Sequence, residues 1–144
     1  MLLGYRSRSE KEMRERLKKK GFSEQHIAST LKNLKQAGYL DDRALAQDLI
    51  RQAFNNKLLG HNRAKLFLLN RGVPDEIVNE TMAYDEEAEA QKIQKLIDKK
   101  MQTMGDFPGD KKKKKLWDFL VRRGFSYNTI KHALRNMTRF EEEE

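Results

Sequence analysis

Basic residues recur at one position in this sequence, and their type and spacing point to a ligand. Lys18-Lys19-Lys20 precedes Gly21, Arg71 precedes Gly72, and Arg122-Arg123 precedes Gly124. Ammonium and guanidinium groups are donors with a full charge and no acceptor, so they suit phosphate or carboxylate oxygens. The three glycines stand 51 and 52 residues apart. In a stacked array equivalent positions fall along one face, so these cations are expected to form a stripe. Arg51, Lys57, Arg63 and Lys65 flank Gly60 and would supply its middle. Plainer readings stay open beside this one. A cation at a helix C-terminus gains about 0.3–1 kcal/mol from the helix dipole, and the four residues around Gly60 also read as ordinary surface charge. Lys111–Lys115 is a run of five lysines. At ~100° per residue they fan round a helix rather than share one face. At a helix start they oppose the dipole, which favours non-specific phosphate binding over a structural purpose.

Other chemistries find little support. The chain has no cysteine, which removes disulfides, thiolate catalysis and thiolate metal sites together. His26, His61 and His132 sit on separate segments without metal-ligand spacing. No phosphate-binding glycine loop and no nucleophile-elbow motif occur. Glu86-Glu87-Ala88-Glu89 reads as an acidic helix start. A non-enzyme without cofactor or metal is expected. Trp117, Phe119, Phe67, Phe54 and Phe22 fall at core-like positions, whereas Tyr5 and Tyr127 are candidates for exposure.

The elements that must position these cations are helices. Around each recurring glycine stands a leucine four residues before (Leu17, Leu68, Leu120), an apolar residue after (Phe22, Val73, Phe125) and a helix-starting residue next (Ser23, Pro74, Ser126). This is the pattern of a helix ending in a left-handed residue, closed by an apolar contact, with a second helix beginning at once. Pro74 is read as the first helical residue of its element. Ser9-Glu10-Lys11-Glu12 is a capping box. Asp41-Asp42, Asp85 and Asp110 mark further starts. Helices are expected near 9–20, 24–37, 42–57, 61–71, 75–83, 86–104, 111–123 and 127–138, with turns at Asn55–Gly60 and Met104–Asp110.

Composition agrees. Hydrophobic residues are 38% and charged residues 36%, which suits amphipathic helices with narrow apolar stripes. The fold class is all-α, with three tandem three-helix repeats in an elongated, curved right-handed or solenoid-like array. The expected boundaries are 1–40, either whole or lacking its first helix, then 41–84 and 85–140, followed by the acidic tail Glu141–Glu144. The net charge is +8. Residues 1–40 carry ten Lys/Arg against four Asp/Glu, and without the tail the body carries +12. Such a body favours a polyanionic partner or an acidic protein surface. The acids opening the helices after the recurring turns, Glu24 and Asp75-Glu76, argue against insertion of those helices among bases. No apolar run approaches the ~18 residues of a membrane span and the start is not a signal peptide, so a cytoplasmic protein is expected; it is read as a monomer.

Taken in order, Tyr5-Arg6-Ser7-Arg8-Ser9-Glu10-Lys11-Glu12, Leu17, Lys20-Gly21-Phe22, Gly38-Tyr39-Leu40-Asp41-Asp42 and Ala46 resemble the RecX regulatory proteins. Gly60, Leu68, Arg71-Gly72-Val73, Glu87–Glu89 and Arg122-Arg123-Gly124-Phe125-Ser126 extend the resemblance over nearly the whole chain. It implies three tandem three-helix units and binding in the groove of the RecA–DNA filament. It also implies inhibition of recombinase, ATPase and co-protease activity, as part of DNA repair and the SOS response. Single-stranded or duplex DNA would be bound weakly through the basic face. The rival readings are a direct nucleic-acid-binding module and a helical-repeat scaffold for another protein.

Overall fold

The computed structural model describes the backbone of residues 7–105 and 109–143, and the side chains among them as far as Arg135. Among the described residues every regular element is helical. In chain order these are α1 (Glu10–Lys19), α2 (Glu24–Gln36), α3 (Asp42–Arg51), a π-helical segment (Gln52–Asn56), α4 (His61–Asn70), α5 (Asp75–Thr81), α6 (Glu86–Met104), α7 (Gly109–Arg122) and α8 (Tyr127–Glu143).

The helix starts follow from local chemistry. Ser9 Oγ accepts the Glu12 N–H while Glu12 Oε1 accepts the Ser9 N–H, both at 3.0 Å, so the capping box is complete. Ser23, Asp41, Asp85 and Ser126 each accept the N–H three residues on. The helix ends follow from the glycines. Gly21, Gly72 and Gly124 have φ of +88°, +83° and +94°. In each case the N–H after the glycine reaches back to the leucine four residues before it: Phe22 to Leu17 O, Val73 to Leu68 O and Phe125 to Leu120 O, at 3.3, 3.2 and 3.3 Å. The glycine N–H satisfies the next carbonyl, closing a Schellman turn. Leu17, Leu68 and Leu120 are all buried.

Five details differ from the sequence expectations. Pro74 is the N-cap of α5 and not its first residue; its ψ of 147° is extended, it has no side-chain acceptor, and its carbonyl accepts the Val78 N–H at 3.0 Å. The helix expected over 42–57 stops at Arg51 and widens into the π segment, where Leu59 N–H reaches Ala53 O at 2.8 Å. Asp110 lies in the first turn of α7, which begins one residue earlier at Gly109. Helix α8 continues through Glu143. Phe22 is 50% exposed, although Val73 and Phe125 at the equivalent position are buried. Tyr127 is exposed as expected, at 61%. Tyr5 and the centre of the Met104–Asp110 joint lie outside the described residues.

The chain divides into two compact units, 1–52 with 65–83, and 53–64 with 84–144. In the first, Met13, Leu17, Ile27, Leu31 and Leu40 form a core between α1 and α2, while α3 packs on α5. There Arg71 reaches across from the end of α4 to Glu12 and to the Ser7 carbonyl. In the second, Ile93, Leu96 and Ile97 of α6 meet Leu116 and Leu120 of α7, Phe125, and Ile130 and Leu134 of α8. Spacings of three and four residues put each set on one helical face.

Candidate functional site

The second unit holds residues 57–61 from four sides. Arg123 Nη1 donates to the Lys57 carbonyl. Leu58, with a φ of +49°, packs on the α6–α8 core. Lys92 Nζ donates to the Leu59 carbonyl at 3.1 Å, and Gly60 N–H donates to the Arg123 carbonyl at 2.7 Å. Glu89 Oε2 then accepts the His61 N–H at 3.2 Å, capping α4 from another helix. Gly60 and Gly124 approach so closely that a Cβ on Gly60 would lie 2.5 Å from the Gly124 carbonyl carbon. Glycine is needed there for space.

Two charges are buried in this elbow. Lys92 is 9% and Glu89 3% exposed; they form an ion pair one helical turn apart. The Lys92 ammonium also stands 3.5 Å from the centre of the Phe54 ring, where the ring's quadrupole stabilises it. The acidic helix start over Glu86–Glu89 therefore contains one carboxylate with a structural role. Its single sequence signal is that Glu89 precedes Lys92 by three residues on the face that carries Ile93 and Leu96.

Beside the elbow lies an open groove of about 400 Å³. Lys57, Lys99, Lys100 and Arg123 line it, with Phe119 among them. Lys100 Nζ and Arg123 Cζ each lie 5.1 Å from the Phe119 ring centre. Among the described residues no aspartate or glutamate lines the groove. Lys57 and Arg123 belong to the cations singled out from the sequence; Lys99 and Lys100 do not. Their signal was present, since Leu96, Lys99, Lys100 and Thr103 are spaced i, i+3, i+4, i+7 along α6 and share one face.

The other candidate residues go separate ways. Lys18, Lys19 and Lys20 are exposed at the end of α1. Arg71 is only 15% exposed and faces inward, gripping Glu12 with Nε at 3.1 Å and Nη2 at 3.3 Å. Arg51 is exposed and pairs with Asp48 in its own helix. Arg63 is exposed and packs its backbone and Cβ against Gly124, and Lys65 is half-buried. Arg122 is exposed, its Nε donating to the Asp118 carbonyl at 3.3 Å. The lysines from Lys111 to Lys115 are mostly exposed. Among the described residues, no group of three His, Cys, Asp or Glu converges as metal ligands would, and no helix is long and apolar enough to cross a membrane.

These features define a helical-repeat protein with a cationic groove. The family profile described as RecX, first three-helix domain, matches residues 1–34, and that of RecX, third three-helix domain, matches residues 86–134. A Regulatory protein RecX from Chlorobaculum tepidum is 34% identical over 134 residues, spanning 93% of this chain and 82% of that one. Another, from Oceanobacillus iheyensis, is 32% identical over 136 residues, spanning 94% of this chain and 50% of its own length. The crystal structure of RecX from Lactobacillus salivarius has the same fold, with a TM-score of 0.81 at 23% identity over 94% of this chain and 89% of that one. The chain belongs to the RecX family.

Proposed function

We propose that the protein regulates the RecA recombinase by binding in the groove of the RecA–DNA filament and limiting its ATP hydrolysis, strand exchange and co-protease activity. Family membership carries this reading, because the relatives that match over most of their length are regulatory proteins of that name. The cationic groove supports it, since a filament built on DNA is strongly anionic. In this reading the protein acts as a cytoplasmic monomer without chemistry of its own. Its three repeats, 1–40, 41–84 and 85–140, bear on successive protomers and hinder their cycling. The test is RecA on single-stranded DNA with ATP. Saturating protein is expected to depress hydrolysis and strand exchange; undiminished rates would refute the reading.

A second reading, a module for naked nucleic acid, is favoured by the absence of acids among the described residues lining the groove. It predicts equal affinity for free DNA and filament. The filament reading requires stronger binding to the filament at each of two salt concentrations.

A further inference from the structure

The groove formed by Lys57, Lys99, Lys100 and Arg123 is chemically one-sided. Among the described residues it presents four cations, and the remaining polar side chains lining it are those of Asn56 and Thr103. Thr103 already donates its hydroxyl to the Lys100 carbonyl at 2.8 Å. A peptide laid here would bring backbone N–H groups needing acceptors, and the lining offers few. A phosphodiester backbone brings only acceptors and one full charge per nucleotide, so it matches both the donor set and the charge.

Phe119 decides between holding phosphates and reading bases. Single-strand platforms stack bases on aromatic rings that stand open beside basic groups. Here the ring is half-buried, packed against the α6–α8 core, and already carries Lys100 and Arg123 at 5.1 Å. A ring occupied by cations holds them in place through its quadrupole. Arg123 is fixed further by its bond to the Lys57 carbonyl.

We infer that this groove is a sequence-independent phosphate clamp for the backbone of a nucleic acid strand, in which Phe119 positions Lys100 and Arg123 and does not stack on bases. The inference rests on the proposed RecA regulation for its biological setting, but its chemistry is testable alone.

The experiment is a fluorescence titration of the whole chain with a 30-nucleotide dT strand, an abasic strand of equal length and a duplex, each over a salt series. The wild type and the variants K99Q/K100Q and K99R/K100R are compared. For single strands the salt slope is expected to fall by about 1.4 in K99Q/K100Q, near 0.7 for each phosphate no longer neutralised, and to return in K99R/K100R. The abasic strand should bind within about threefold of the dT strand. The duplex arm identifies the source of the phosphates: a slope change confined to one form names that form as the occupant. An unchanged slope for both forms overturns the clamp. A tenfold weaker abasic strand overturns the assignment of Phe119 and restores base stacking.

The same variants are run in the RecA ATPase assay. If wild-type protein inhibits while the slope is unaltered in K99Q/K100Q, the clamp fails and the regulatory reading survives. If wild-type protein leaves RecA unaffected while the slope falls, the clamp stands and the regulatory reading fails. If K99Q/K100Q loses inhibition with naked-strand binding intact, the groove meets the protein surface of the filament, and the clamp is refuted.

Discussion

Glu12 and Arg71 are 59 residues apart in sequence and meet through two hydrogen bonds of 3.1 and 3.3 Å. Glu12 Oε1 also accepts the Ser9 N–H, so one carboxylate caps α1 and anchors the turn after α4. Replacing it removes both. Glu12→Ala is expected to cost about 2–3 kcal/mol, the loss of a cap plus a poorly solvated guanidinium left without its anion. Arg71→Met should cost less, because Glu12 keeps the Ser9 N–H. A urea-denaturation double-mutant cycle should give a coupling energy above about 0.5 kcal/mol; additive effects would show the pair to be idle.

The glycines separate conformation from space. Gly21 has φ +88° and open surroundings, so Gly21→Ala meets only the left-handed penalty, about 1–2 kcal/mol. Gly60→Ala meets the backbone of Gly124 and Phe125 at 2.5–2.6 Å and is expected to cost about 3 kcal/mol or more. Gly124→Ala suffers both, with φ +94° and the backbone of Arg63 in the way. Thermal unfolding should rank Gly21→Ala mildest and Gly124→Ala worst. A Gly60→Ala variant as stable as wild type would contradict the close approach.

Lys92 is the only cation paired with the buried Glu89 among the described residues. Lys92→Met leaves that carboxylate with the His61 N–H alone and is expected to cost about 3–5 kcal/mol. Chemical denaturation of Lys92→Met against wild type measures this; a loss below about 1 kcal/mol would assign Lys92 a packing role only.

Asp42 supplies a pH signature. Burial raises its carboxyl above the ordinary value, while the Glu10 N–H donated to Oδ1 at 3.0 Å pulls it down and Glu10 itself pushes it up. With the folded value raised, the folded state holds the proton more tightly than the unfolded state. The resulting stability is complete below the unfolded value near 3.9 and is lost as pH rises through the folded value. Asp42→Asn keeps an acceptor for Glu10 without the partly buried charge. Allowing for solvent screening, it should be more stable than wild type at pH 7 by on the order of 0.5 kcal/mol, with the advantage shrinking towards pH 4. An advantage that grows on acidification would reverse the sign.

The helices were legible because their ends are local events. Ser9 to Glu12, and the leucine–glycine–apolar triplets at Gly21, Gly72 and Gly124, form their bonds within six residues of chain. Phe22 misled because its equivalence to Val73 and Phe125 concerns the turn, whereas burial depends on what lies over it. The π segment was hidden for a similar reason: Gln52–Asn56 has ordinary helical composition, and what surrounds it, Lys92 over Phe54, comes from almost forty residues on. The recurring cations were visible, but not their fates. Arg71 turns inward because Glu12 waits for it, and Arg123 joins Lys57, Lys99 and Lys100 because α6 and the α7 end enclose the segment after the π helix. Register within a repeat does not carry that information.

The elbow at residues 57–61 has a consequence for how the chain is made. Its carbonyls and N–H groups are answered by Glu89, Lys92 and Arg123, and its glycine by Gly124. During synthesis the last of those answers arrive roughly sixty residues after the question, about 3–12 s at 5–20 residues per second. The middle of the chain therefore completes these bonds only after residue 124 has been made, and one of the chain's two early crossings between its compact units, at 64/65, falls inside α4.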